Sequence, residues 1–275
     1  MARIALFQSC TGIDPADNAH ALVTAIEQAH AGGAEMLFTP EMSGLLDRDA
    51  ARAAKSVRSE EQDGVLAACR DAASRHGLWV SLGSLAVRTK EGKLANRAFV
   101  IDPSGAIRAR YDKIHLFDVD LSTGESWRES AVYRPGQRAV VVEGTPVGRL
   151  GLTICYDVRF PALFSSLAEA GVDTLAVPAA FTVPTGRAHW EVLLRARAIE
   201  AEAFVVAAAQ SGRHADGRET YGHSLVVSPW GEVLLDMGQS VGVGFTEIAL
   251  SLVGEVRQRI PALAHRRPID RAVLQ

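Results

Sequence analysis

The sequence predicts an α/β protein in which sheets are covered by helices on one face and packed against each other on the other. Three observations carry this expectation. Short apolar runs alternate with segments of helical periodicity, turn signals such as Pro103-Ser-Gly105 and Pro229-Trp-Gly231 join further short strands, and a chain of 275 residues at 48% hydrophobic content can bury a large core. We read residues 1–275 as one globular domain, with 261–275 as a C-terminal tail that lacks a clear period and is held loosely or against a neighbouring subunit.

In chain order, residues 4–8 read as an opening strand, because Gln8 and Ser9 interrupt the apolar start before it can make a signal-peptide core. An Asp14-Pro15 turn precedes a helix at 18–31, ended by Gly32-Gly33, and residues 36–39 form a buried-type strand running into Pro40-Glu41. A helix at 60–76 closes at Gly77, and strands follow at 78–87, 96–102 and 107–112. The second half repeats the style, with strands at 138–142, 149–154, 174–178, 204–209, 225–227, 233–235 and 244–248. Its helices fall at 161–170 and 187–202, the latter with Trp190, Leu193, Leu194, Ala198 and Ala201 on its apolar side, a core or dimer-interface stripe.

Composition excludes several classes. A formal charge of -3 and 6% aromatics leave neither a basic footprint nor a base-stacking surface, so no nucleic-acid partner is expected. No apolar run approaches the roughly 20 residues that span a bilayer, so no membrane partner is expected either. Cys10, Cys69 and Cys155 are odd in number, far apart and without a Cys-x-x-Cys pair, which suits reduced cytoplasmic thiols and opposes a disulfide framework or a thiolate zinc site.

Cys155 holds the most informative position, between the strand at 149–154 and a helix opened by Pro161. Free backbone N–H groups and a helix dipole at such a turn can lower a thiol's pKa and can face an oxyanion, although a free cysteine is more often a small buried hydrophobe. Glu41 follows a strand and a proline, and Lys113 follows the strand at 107–112; each alone reads as a surface charge. Together they supply what amide hydrolysis by a thiol requires: a nucleophile, a carboxylate to move protons, and a cation that joins the Tyr156 N–H in answering the developing oxyanion.

Pro40-Glu41, Tyr111-Asp-Lys113 and Cys155-Tyr-Asp, spaced by 72 and 42 residues, resemble the Glu, Lys and Cys motifs of the nitrilase superfamily of carbon–nitrogen hydrolases. That resemblance implies a four-layer α-β-β-α sandwich and dimers paired through helices. It makes Cys155 the nucleophile, Glu41 the general acid/base and Lys113 the oxyanion partner, and it needs no metal or cofactor. It also implies a second glutamate, for which Glu125 and Glu129 compete; Glu129 is preferred because Arg128-Glu-Ser130 before Pro135-Gly136 is similar to the family's Glu-Ser segment.

Nitrile-acting members carry Cys-Trp-Glu at the nucleophile, so Cys155-Tyr156-Asp157 implies an amide substrate. The segments 151–161, 188–200, 209–214 and 221–224 look like the Nit-type branch that acts on deaminated glutathione, an anionic amide whose 2-oxo dicarboxylate acyl part is cut from a dipeptide. Arg159 and His189 are then candidate anion contacts, and Tyr156, Phe181 and Thr182 candidate pocket walls. Arg187 departs from the branch pattern and is left out; Arg213 and His214 read as a solvated loop. Alternatives are an ω-amidase on 2-oxoglutaramate, an N-carbamoyl amine amidohydrolase, or a catalytically silent binding protein of the same fold.

Overall fold

A computed structural model describes residues 1–120 and 126–269. Along the chain run β1 (Ala2–Gln8), α1 (Pro15–Ala31), β2 (Met36–Phe38), a one-turn α2 (Ala50–Ala53), α3 (Gly64–His76), β3 (Trp79–Arg88), β4 (Leu94–Ile101) and β5 (Ile107–Asp112). A small antiparallel pair, β6 (Asp118–Asp120) and β7 (Ser126–Arg128), leads to β8 (Val140–Thr145), β9 (Gly148–Leu152), α4 (Pro161–Glu169), β10 (Thr174–Ala176), α5 (Val183–Ala201) and β11 (Phe204–Ala207). The hairpin of β12 (Ser211–Arg213) and β13 (Glu219–Tyr221) follows, then β14 (Leu225–Val227), β15 (Val233–Asp236), β16 (Gly242–Ile248) and α6 (Ser251–Arg259).

Two six-stranded sheets stand out among the described residues, in the orders β16-β1-β2-β3-β4-β5 and β15-β14-β11-β10-β9-β8. Both keep three parallel strands in the middle, β1-β2-β3 and β9-β10-β11, with antiparallel strands outside them. The two-residue period of a strand sets the layers. In β1, Ile4 and Leu6 pack in one core with Leu150, Leu152 and Val206 of the second sheet, whereas Ala5 and Phe7 pack with Leu22 and Ile26 of α1 and Leu66 and Cys69 of α3. On the second sheet Gly151 faces α4, where an added Cβ would sit 3.4 Å from Leu167, so its neighbours Leu150 and Leu152 point to the first sheet. The order of layers is helix, sheet, sheet, helix.

Several boundaries differ from the sequence reading for identifiable reasons. The Asp14-Pro15 pair is the start of α1 rather than a separate turn: the Asp14 carboxylate accepts from the Ala16 N–H at 2.8 Å and Pro15 occupies the first helical position. Residues 60–62 form their own 3-10 turn, and α3 begins only after the Asp63 cap. Pro184 likewise opens α5 at Val183, four residues before the expected start. The pairs β6/β7 and β12/β13 and the one-turn α2 went unread, being too short for a clear period, and α6 went unread as well.

Residues 262–266 lie against this same chain, with the Ala262 N–H donating to Glu202 Oε1 at 2.8 Å and Arg266 Nη1 to Glu169 Oε1 at 3.1 Å. Among the described residues no helix is long and apolar enough to cross a membrane.

Candidate active site

Cys155 sits just beyond the end of β9, and its backbone takes φ +48°, a left-handed conformation that costs a non-glycine residue about 1 kcal/mol. Buried hydrogen bonds hold it there. The Cys155 N–H donates to Pro178 O at 2.8 Å, past the end of neighbouring β10. The fully buried Asp157 carboxylate accepts from the Ile154 N–H at 2.9 Å, the Tyr111 hydroxyl at 2.6 Å, and the His115 N–H and Nδ1 at 3.0 and 2.7 Å.

The dipole expectation needs correcting. Cys155 opens a short 3-10 turn, Cys155–Arg159, and α4 starts only at Pro161. Burial, then the negative charge of Glu41, push the thiol well above its ordinary value against the opposing pull of Lys113, so the resting sulfur carries its proton.

Glu41 is delivered by the turn after β2. A bulge in β3 makes room for that turn: Gly83 packs so closely that an added Cβ would lie 2.1 Å from Thr39 O. The Gly83 N–H donates to Thr39 Oγ1 at 3.0 Å and the Ser84 N–H to Pro40 O at 3.3 Å. The Glu41 side chain then accepts on both oxygens, Oε1 from Lys113 Nζ at 2.8 Å and Asn96 Nδ2 at 2.9 Å, and Oε2 from the Ala180 N–H at 3.0 Å.

Lys113 leaves β5 2% exposed and meets both glutamates, donating also to Glu129 Oε2 at 2.9 Å. Burial, the largest influence on it, opposes its charge, but Glu129 and Glu41 outweigh that penalty and hold the ammonium well above the ordinary lysine range. Two of its three N–H bonds are thus occupied and one remains for a ligand. Glu129 Oε2 is fixed further by the Phe117 N–H at 2.7 Å. Glu125, its competitor in the sequence, lies outside the described residues.

A cavity of about 570 Å³ brings Glu41, Lys113, Glu129, Cys155, Tyr156, Arg159, Phe181 and Thr182 to one wall system. The Arg159 guanidinium lies 5.5 Å from the Phe181 ring centroid and 6.0 Å from that of Tyr156. His189 stands apart from that wall. It is exposed on α5 with Nδ1 3.3 Å from Arg159 Nη2, so the expected direct ligand contact becomes a contact through Arg159. His214 also departs from its reading as solvated loop: it is buried, within 2.9 Å of Thr11 O and 2.8 Å of Thr220 Oγ1, whereas Arg213 is exposed.

Sequence reasoning missed Asn96. Its single Nδ2 donates to Glu41 Oε1 at 2.9 Å and to Glu129 Oε1 at 3.1 Å, so one buried amide spans both carboxylates. The available signal was an asparagine inside a strand, a residue type that strands disfavour. Asn96→Ala is expected to lower kcat roughly ten- to a hundredfold with a smaller change in KM, because two hydrogen bonds to charged groups are lost. Steady-state kinetics of the variant check this; an unchanged kcat refutes it.

The carbon-nitrogen hydrolase family model matches residues 3–258. The chain belongs to the carbon–nitrogen hydrolase family. A relative from Yersinia enterocolitica named deaminated glutathione amidase is 38% identical over 275 residues, covering 99% of this chain and 95% of its own. The crystal structure of the C. elegans NitFhit protein superposes on this hydrolase with a TM-score of 0.89 at 39% identity, covering 97% of this chain and 65% of that one. A variant of an amidase from Nesterenkonia sp. AN1, with the acetamide moiety of fluoroacetamide added covalently at its active-site cysteine, superposes with a TM-score of 0.80 at 26% identity, covering 97% and 94%.

Proposed function

We propose that this protein is a cysteine amidase that hydrolyses deaminated glutathione to 2-oxoglutarate and a dipeptide. The observation that carries the reading is the Lys113 ammonium bound to both Glu41 and Glu129 in the cavity that also receives Cys155. The substrate follows the name of the Yersinia relative and the arginines of the cavity, since an anionic acyl group needs cationic donors.

As the Cys155 sulfur attacks the amide carbon, its proton passes to Glu41. The oxyanion takes the remaining Lys113 N–H and the Tyr156 N–H, which at the start of a 3-10 turn has no partner within that turn. Collapse breaks the C–N bond, and Glu41 returns the proton to the departing amine. A water then gives its proton to Glu41 and its oxygen to the thioester, releasing the acid and restoring the thiol. Arg159, steadied by two rings and His189, binds the carboxylate of the acyl part.

Measuring 2-oxoglutarate release from deaminated glutathione and from 2-oxoglutaramate, and ammonia release from N-carbamoyl amines, tests the reading. The expected order places deaminated glutathione first by kcat/KM. Inertness toward all three would overturn catalysis in favour of a binding role.

A further inference from the structure

The cavity lining includes two further arginines, Arg48 and Arg218, that the reaction above leaves unused. Arg48 comes from the segment after β2 and Arg218 from the β12–β13 hairpin, so each half of the chain supplies one. They are not independent surface charges. A single carboxylate, Asp216, whose side chain has no solvent exposure, accepts from Arg218 Nε at 2.7 Å, from the Arg218 N–H at 3.1 Å and from the Arg48 N–H at 2.8 Å.

Asp216 therefore fixes one arginine by its side chain and the other by its backbone, on the same edge of the cavity. The neighbouring Asp47, which also lines the cavity, is bound directly by Arg52 through two contacts of 2.6 and 2.8 Å and feels the Arg218 charge without a hydrogen bond to it. Among the described residues the Arg48 side chain has no ion-pair partner, and the terminal nitrogens of Arg218 have no hydrogen bond. The Arg218 guanidinium is steadied instead over the Trp127 ring, 4.9 Å from its centroid, and Trp127 also lines the cavity. Glu219, on the same hairpin, also lines the cavity and is exposed to solvent, where water screens its charge.

We infer that Arg48 and Arg218 form a carboxylate-binding subsite for the leaving-amine side of the substrate. The inference rests on the amidase reading and adds to it the residues that take the free terminal carboxylate of the departing peptide. Such a substrate bears one anion on each side of the scissile bond. Arg159, beside Cys155, takes the acyl-side anion, and the Arg48 and Arg218 pair takes the other. A substrate that releases only ammonia has no group to place there.

The subsite is tested with two substrates sharing one acyl part, the 2-oxoglutaryl amide of a dipeptide with a free terminal carboxylate and the same compound with that terminus carboxamidated. Wild type is expected to favour the free acid in kcat/KM by roughly ten- to a hundredfold, the range of hydrogen bonds to charged groups. Arg48→Ala, a change at an exposed side chain, is expected to bring that ratio to within about threefold of unity, and Arg48→Lys to restore part of it. Arg218→Lys, which keeps a cation beside Asp216, is expected to lower the ratio as well. A wild-type ratio near one, or a ratio untouched by Arg48→Ala, overturns the subsite while the amidase reading stands. Failure of wild type to cleave either compound overturns the amidase reading itself.

Discussion

Cys155→Ala is expected to lower amide hydrolysis by at least about 10⁴-fold while leaving the melting temperature close to that of the wild type. The large kinetic loss follows from covalent chemistry, because no neighbouring group can form the thioester in its place. The small thermal effect follows from the geometry of the turn. What holds residue 155 in its left-handed conformation is the N–H contact to Pro178 O and the Asp157 network, and none of these uses the sulfur. Since burial and Glu41 keep the thiol protonated at rest, attack also needs Glu41 as acceptor, and Glu41→Gln should cost roughly 10² to 10⁴-fold through the loss of that base. Rates are read by product release, and the nucleophile by the mass of the protein after treatment with an electrophilic amide. The adduct is expected on Cys155. Cys69 is fully buried with its thiol pushed up to about 12 by burial and by Asp63, which leaves it inert. Activity of Cys155→Ala within tenfold of wild type would exclude the mechanism.

Lys113→Met is expected to damage both catalysis and folding. One oxyanion donor disappears, worth roughly 10² to 10³ in kcat. Removing the cation also leaves Glu41 as a buried carboxylate and Glu129 as a partly buried one without the ammonium both bond in the wild type, and breaking a buried pair such as Lys113–Glu41 costs about 3–5 kcal/mol. Denaturant unfolding followed by circular dichroism reads the second effect. In the wild type the sign of the pH dependence is set by the raised value of Lys113. Its contribution is complete below the unfolded value of 10.5 and is lost only as pH rises toward the higher folded value, so Lys113 adds no slope near neutrality. A Lys113→Met protein of unchanged stability would mean that the two glutamates do not depend on it.

Three of the groups at this site announced themselves because each stands just beyond the end of a strand. The strand at Met36–Phe38 runs into Glu41, Ile107–Asp112 into Lys113, and Gly148–Leu152 into Cys155, and such breaks are visible in one dimension. The sheet order was less legible. The run of strands suggested two packed sheets, but nothing local indicates that β16 pairs with β1 rather than with β15's sheet. Asn96 and Arg218 were hidden for a different reason. Asn96 matters only because two distant glutamates reach it, and Arg218 only because Asp216 turns it toward Trp127 and the cavity. The helix-dipole expectation failed because a proline marked the correct helix start without revealing the five-residue 3-10 segment before it.

The pairing of Ala2–Gln8 with Gly242–Ile248 has a consequence for biosynthesis. On a ribosome that adds about 5–20 residues per second, β1 waits roughly 10–50 s for its partner to be translated. Throughout that interval one edge of the growing sheet offers unpaired N–H and C=O groups to any other extended polypeptide. The nascent chain is therefore a natural client for a chaperone that shields edges, and its yield should fall when translation slows between β15 and β16.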